Sequence, residues 1–273
     1  GGSVIAIGKQ TLYRPRGNYN VAIGEQAMYG NSSTTTAQQN QAMGRRALFS
    51  ATSAQYNSAI GYQAGYLTTT GYSNVFLGHE TGYSNTTGAG NTHIGSQAGY
   101  SGSTGNNTVY IGNTAGLKNT TNDNVGIGTE ALLSGTSATN LVAVGRAAGK
   151  GVTTGHGIIA IGHSAAQESA ASTHNVAIGW QAMYGGSGDS NRNIGIGTST
   201  LLDITTGDSN VGVGYQAAQN VTSGGYNIAI GNNALATATT STGSVAIGHN
   251  AGKETTVNEM EKSFTQEAVE TFE

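Results

Sequence analysis

The chain has 273 residues and a formal net charge of −3, with charged residues at only 9%, 44 Gly, one Pro and no Cys. That balance gives no electrostatic reason to expect nucleic acid or an anionic membrane as partner. The missing Cys excludes disulfides and thiolate metal sites, and no apolar run approaches the roughly 18 residues of a membrane helix. So much Gly, Ser and Thr would suit a disordered chain, but Ile and Val recur at regular intervals, which disorder does not produce. The chain opens on Gly1, without the pattern of a signal peptide, as expected for a processed or truncated piece.

From the N-terminus an apolar residue followed by Gly marks a repeat. It stands at Ile7-Gly8, Ile23-Gly24, Met43-Gly44, Ile60-Gly61, Leu77-Gly78, Ile94-Gly95, Ile111-Gly112 and Ile127-Gly128. It goes on at Val144-Gly145, Ile161-Gly162, Ile178-Gly179, Ile196-Gly197, Val213-Gly214, Ile230-Gly231 and Ile247-Gly248. These fifteen copies lie mostly 17 residues apart, with steps of 16, 18 and one of 20. A fixed period of this length signals a solenoid. The phrase NVAIGEQAMYG at Asn20 to Gly30 returns as NVAIGWQAMYG at Asn175 to Gly185. Only Glu25 and Trp180 differ, and their column also holds Tyr62, His79, Arg146 and Asn232, so it is expected to face solvent.

Each column has its own chemistry. Two residues before the apolar anchor the column is mostly Val or Ile, and the residue between is usually Ala or Gly, which is strand alternation. Val21 and Ile23 are expected to point into the coil, across from the Ala that follows three residues after Gly, as in Ala27, Ala64, Ala98, Ala182 and Ala251. The intervening small column would then be a bare outer face for packing against another chain. Gly permits positive φ or a close backbone approach. Asn recurs before the strand at Asn20, Asn57, Asn74, Asn91, Asn124, Asn175, Asn193, Asn210 and Asn227, where its amide suits a turn or the Asn of the next coil. The segments TTTGYSN, NTTGAGN, TTNDN, VTTGHG, ITTGDSN and VTSGGYN read as an exposed corner, and the one 20-residue step inserts NSSTTTAQQ there.

The fold expected is all-β, a parallel β-roll of about fifteen 17-residue coils over residues 1–252. So thin a coil buries little apolar area, and stability follows that area at about 25 cal/mol per Å². Self-association in closed cyclic symmetry would complete the core; composition does not choose between two, three or more chains. Residues 253–273 form a different tail. Val257, Met260, Phe264 and Ala268 fall at helical spacing, expected as a short amphipathic helix that caps the solenoid or connects to a neighbouring domain.

The motif that recurs as NVAIG at Asn20 to Gly24 and Asn175 to Gly179, NIAIG at Asn227 to Gly231 and SVAIG at Ser244 to Gly248 resembles the YadA-like head repeat of trimeric autotransporter adhesins. Tyr-rich variants such as IGYQAGY at Ile60 to Tyr66 resemble repeats of bacteriophage tail fibres. The resemblance covers about Ser3 to Lys253. It implies a left-handed β-roll assembled as a homotrimer, with the period here longer than in the adhesin repeat.

Enzymatic chemistry finds little support. NVGIGTEA at Asn124 to Ala131 looks like a nucleotide loop, but its glycines sit on the repeat grid and no helix follows. GDSN at Gly207 to Asn210 and NDN at Asn122 to Asn124 read as turn formers rather than calcium ligands. Among six His, His79, His163 and His249 share one column but lie five repeats apart, and His156 and His163 occupy different columns. In a trimer a ring of three His93 is the one conceivable metal site, because Phe76, His93 and Tyr110 fill the small-residue column in three consecutive repeats. No metal, no cofactor and no enzymatic activity are expected.

The best candidate surface is aromatic. Tyr13, Tyr29, Phe49, Tyr66, Tyr83 and Tyr100 stand five residues after Gly in six consecutive repeats, which stacked coils would align as a ladder for sugar rings or a partner protein, and Trp180 is counted with them as a receptor or partner surface. Arg14, Arg16, Arg45 and Arg46 share this third of the chain, and Tyr with Arg is typical of binding hot spots. The expected function is a non-enzymatic segment of a phage tail fibre at the virion surface, with sister copies, neighbouring fibre or virion proteins and a host-surface glycan or protein as partners. The head of a bacterial surface adhesin is the alternative. An ice-binding solenoid ranks below both, since the Thr positions drift with loop length. Neither nucleic acid nor membrane insertion is expected.

Overall fold

The computed structural model describes residues 2–13, 17–30, 36–185, 188–253 and 262–264. The chain forms two compact units, Gly1–Ser137 and Ala138–Glu273. Each is a parallel β-solenoid, and the described residues contain no helix. In the first unit the strands are β1 (Ile5–Ile7), β2 (Val21–Ile23), β3 (Gln41–Met43), β4 (Ser58–Ile60), β5 (Val75–Leu77), β6 (Thr92–Ile94), β7 (Val109–Ile111) and β8 (Val125–Ile127). The second has β9 (Val142–Val144), β10 (Ile159–Ile161), β11 (Val176–Ile178), β12 (Ile194–Ile196), β13 (Val211–Val213), β14 (Ile228–Ile230), β15 (Val245–Ile247) and β16 (Lys262–Phe264). All fifteen Ile-Gly-type anchors close a strand. Neighbours pair in parallel and in register, Val21 with Gln41, Gln41 with Ser58 and Ile159 with Val176. Around Phe264 the tail is a strand, β16, paired with β15, where a helix was expected. Val257, Met260 and Ala268 lie outside the described residues.

The repeat grid is enforced at Gly. The anchor glycines have φ between 126° and 140°, a region that a side chain strains. Their α-carbons also face the next coil closely. A Cβ added at Gly44, Gly61 or Gly179 would fall 2.2–2.4 Å from the carbonyl oxygen of Gly61, Gly78 or Gly197.

The strands face the opposite way from the expectation. Their middle residues are buried, Ala22, Ala42, Ala59, Ala143, Ala160 and Ala177 among them, while Ile60, Leu77, Ile161, Ile196 and Ile230 are 38–43% exposed. The reason is volume. The coil is so flat that a Cβ added at Gly212 would come 2.5 Å from Thr200 Cγ2, and one at Gly195 would come 3.1 Å from Met183 Cγ. A column of Val and Ile does not fit there; a column of Ala and Gly does. The Ala three residues after Gly is buried as expected, at Ala27, Ala64, Ala98, Ala182 and Ala251.

Larger interior side chains enter by exchange between two columns. Where the strand centre is Ala or Gly, the residue four after the anchor Gly is often large and buried, as in Met28, Leu48, Leu132, Met183, Leu201 and Leu235. Where the strand centre is Phe76, His93 or Tyr110, that residue is Gly82, Gly99 or Gly116. A Cβ on these glycines would lie 2.4, 2.2 and 2.5 Å from the Phe76, His93 and Tyr110 rings. In these coils one large group fills the interior from either wall, and coils with small residues on both walls, such as Ala59 with Gly65, are filled from their neighbours: a Cβ on Gly65 would meet Phe76 and Leu48.

Buried Asn side chains tie coil to coil. Asn74 donates from its backbone N–H and from Nδ2 to Oδ1 of Asn57, both at 3.0 Å, and from Nδ2 to the Gly88 carbonyl at 2.8 Å. The same pattern joins Asn20, Asn40 and Asn57 in the first unit and Asn193, Asn210 and Asn227 in the second. Leu141 and Ile158 occupy this column in the second unit, buried and apolar. The Thr-rich corner is only partly exposed: Thr68, Asn85, Asn119, Val152, Ile204 and Val221 face inward. Thr69 and Thr86 donate their hydroxyls to the Thr86 and Ser103 carbonyls.

Candidate functional site

Two kinds of surface stand out, an apolar ridge and columns of aromatic rings. The ridge is the outward side of the strands. In the first unit it includes Ile5, Ile7, Met43, Ile60, Val75 and Leu77; in the second, Val142, Ile159, Ile161, Ile194, Ile196, Ile228, Ile230 and Ile247. Their exposure runs from 37% to 58%. The strand register sets them in two parallel rows on each unit, because flanking residues of one strand align with flanking residues of the next. Contiguous exposed apolar surface of this kind marks interaction sites on soluble proteins. The anchors Ile23 and Ile178 lie on this ridge, partly buried, rather than in the interior assigned to them.

The aromatic ladder exists as expected. Tyr13, Tyr29, Phe49, Tyr66, Tyr83 and Tyr100 stack with centroids 4.9–5.1 Å apart and planes within 4–13° of parallel. This spacing follows from the coil repeat, since strands stack about 4.8 Å apart. It also changes what the ladder can do. Each inner ring lies between two neighbours, so its faces are taken and only its edge reaches solvent. The ladder therefore does not offer sugar rings a row of stacking faces. Burial raises the Tyr83 phenol above its ordinary value, with smaller contributions from Tyr100, Tyr66, Glu80 and Tyr62.

A second column runs beside it, one residue after the anchor Gly. Arg45 pairs with Glu25 at 3.2 Å and lies 5.7 Å over the Tyr62 ring, which stacks on His79 at 5.2 Å. Arg46 lies 5.9 Å over Phe49. The cluster of Arg45 and Arg46 with the aromatic ladder is thus real; Arg14 and Arg16 lie outside the described residues. The column was read as solvated, and Glu25, His79, Arg146, Trp180 and Asn232 are exposed. Tyr215 shares it, 49% exposed beside the 50% of Trp180. The column pattern already contained Tyr215, but its place opposite Trp180 two coils away was not singled out.

His93 is not an axial ligand. It is 3% exposed and enclosed in its own coil. Its Nε2 lies 2.9 Å from Thr108 Oγ1, whose hydroxyl donates to Asn91 Oδ1 at 2.6 Å, so Nε2 carries the proton and donates. Burial lowers its pKa from 6.5 to about 3, and the ring stays neutral. Burial likewise raises the Tyr110 phenol, an effect opposed by Asn124. Among the described residues no group of three or more His, Asp or Glu could hold a metal ion, and no helix is long and apolar enough to cross a membrane. Comparison with protein-family models, curated proteins and solved structures finds no match to this chain.

Proposed function

We propose that the chain is a non-enzymatic structural segment of a bacteriophage tail fibre, a homotrimer of YadA-like left-handed coils that serves in attachment to the host surface. The observation that supports it best is the double row of exposed Val, Ile, Leu and Met along each unit. An apolar anchor repeated at every coil on one flank, partly exposed throughout and about two-fifths exposed at Ile60, Leu77, Ile161, Ile196 and Ile230, is a surface shaped for sister copies. Closed cyclic assembly covers it without leaving a free ridge for fibres to grow sideways. The copy number three comes from the resemblance of the NVAIG repeat to trimeric adhesin heads.

Sedimentation equilibrium tests this directly: the expected mass is three times the 27.5 kDa chain. Ile161→Asp with Ile196→Asp places charge on the ridge, away from the interior, and is expected to yield monomers that keep their β signal. A wild-type chain that sediments as a stable monomer overturns the reading.

A further inference from the structure

We infer that Gln41, Ser58 and Thr92 are the register lock between sister copies: each hydrogen-bonds its own equivalents and holds the copies parallel, coil against the same coil. This rests on the homotrimer reading above and adds what aligns its copies.

The need for a lock follows from the repeat itself. From β9 to β15 both rows of the ridge hold only Val and Ile. A copy slid along such a flank by one coil, about 4.8 Å, meets the same shapes again and loses contact only at its ends. A uniform apolar ridge therefore supplies adhesion without alignment. Alignment has to come from coils that differ from their neighbours.

Those coils lie in the first unit. There the row formed by the anchors is apolar throughout, from Ile7 through Met43 and Leu77 to Ile127. In the row formed by the first residue of each strand, Gln41, Ser58 and Thr92 interrupt Val and Ile. Gln41 and Ser58 are direct neighbours, and Val75 separates Ser58 from Thr92. Gln41 is exposed and the other two are partly so. Among the described residues none of these three side chains makes a hydrogen bond.

When a sister copy covers the flank, each of these groups loses water and needs a new partner. Their chemistry says which. A primary amide and a hydroxyl each carry both a donor and an acceptor, so each group is complementary to itself. With this row nearest the axis, copies in register set Gln41 against Gln41, Ser58 against Ser58 and Thr92 against Thr92, and Val meets Val elsewhere. A slide of one coil instead sets Val21 against Gln41 and Val75 against Ser58 or Thr92. The order polar, polar, apolar, polar maps onto itself at no other slide, and not when one copy is reversed end for end. A polar residue set into an apolar seam fixes the register of coiled coils by the same means.

The chain has no Cys, so single Cys substitutions report alignment without background. Val109→Cys and Val125→Cys sit on neighbouring coils of this same row. The two variant chains are refolded together and oxidised, and disulfide-linked peptides are sorted by mass. Copies in register bring like positions together, whereas a mixed bond reports a slide of one coil, because a disulfide spans α-carbons no more than about 7 Å apart. Like-with-like bonds are expected to exceed mixed ones about tenfold or more. Adding Gln41→Val, Ser58→Val and Thr92→Val to both chains should raise the mixed bonds to a comparable level, while sedimentation still gives three chains. Val already fills this row at Val21 and Val75, so the coil accepts it. Mixed bonds as frequent with the native row, a ratio that the Val substitutions do not move, or a trimer with no bond between copies overturns the lock and leaves the trimer standing. A monomer in sedimentation overturns the trimer reading, and the lock with it.

Discussion

The two units share one coil and differ in how they fill it. In Gly1–Ser137 three consecutive strand centres are Phe76, His93 and Tyr110, and the facing glycines make room for them. In Ala138–Glu273 the strand centres from β9 to β15 stay Ala or Gly, and bulk comes from Met183, Leu201 and Leu235 on the opposite wall. Outside, the first unit carries an unbroken ladder of six rings, whereas its column in the second reads Lys150, Gln167, Tyr184, Leu202, Gln219, Ala236 and Lys253. The lesson is that the coil specifies a summed interior volume and a backbone grid, and leaves open which wall supplies the volume. The ladder shows the complementary point: a continuous aromatic stack needs a ring at the same column position on every coil.

The sharpest break of this comparison is at Gly82. Gly82→Leu sets a side chain against the Phe76 ring at a φ of 59° and is expected to cost about 3–5 kcal/mol, as overpacking adds to left-handed strain. Adding Phe76→Ala should recover at least half of the loss, because the pair then imitates Ala42 with Leu48. Unfolding in denaturant, run on the two singles and the double, reads the coupling; strictly additive losses would remove the exchange rule.

Next comes the Asn column. Asn74→Leu is expected to cost about 3 kcal/mol, since it takes the Nδ2 donor from Asn57 Oδ1 and the Gly88 carbonyl and leaves the Asn91 N–H without its acceptor. That loss should appear although Leu141 and Ile158 occupy the same column in the second unit. A thermal melt unchanged by the substitution would show that the column is indifferent to hydrogen bonding.

The buried imidazole makes the first unit acid-sensitive. His93 is held near a pKa of about 3 when folded, against 6.5 when unfolded, so the unfolded chain binds the proton first. The stabilisation is complete above pH 6.5 and is lost as pH falls from there toward 3, by on the order of 5 kcal/mol in full. His93→Phe should flatten unfolding free energy measured between pH 7 and 4. A wild-type curve already flat across that window would contradict the burial of a neutral ring.

The smallest effect is in the ladder. Tyr66→Ala removes two stacked contacts and is expected to cost about 1–2 kcal/mol, whereas Tyr184→Ala, in the same column without ring neighbours, should stay within about 0.5 kcal/mol. Equal melting shifts for the two variants would mean that stacking adds nothing beyond the individual side chain.

Much of this was legible in advance because a solenoid writes its structure as columns. The period located fifteen of the sixteen strands, all but β16 in the tail, and the recurrence of Tyr or Phe five residues after Gly located the ladder, down to its members. The exchange between Phe76, His93, Tyr110 and Gly82, Gly99, Gly116 was also present in the letters. It went unread because the residue four after Gly looks irregular until it is paired with the strand centre.

By itself the sequence determined the coil length, the strand positions, the Gly corners and the Asn column, since each depends on local backbone demands repeated at a fixed step. It could not determine which side of the strand looks inward. Alternation says that Val21 and Ile23 share a side and Ala22 takes the other, and both assignments satisfy it equally. Only the folded coil decides: where Met183, Thr200 or Leu201 fills the interior from the opposite wall, the strand centre has room for Ala or Gly and not for a column of Val and Ile. That single choice moves the large apolar side chains from the core to the surface and leaves the strand flank as an exposed apolar face.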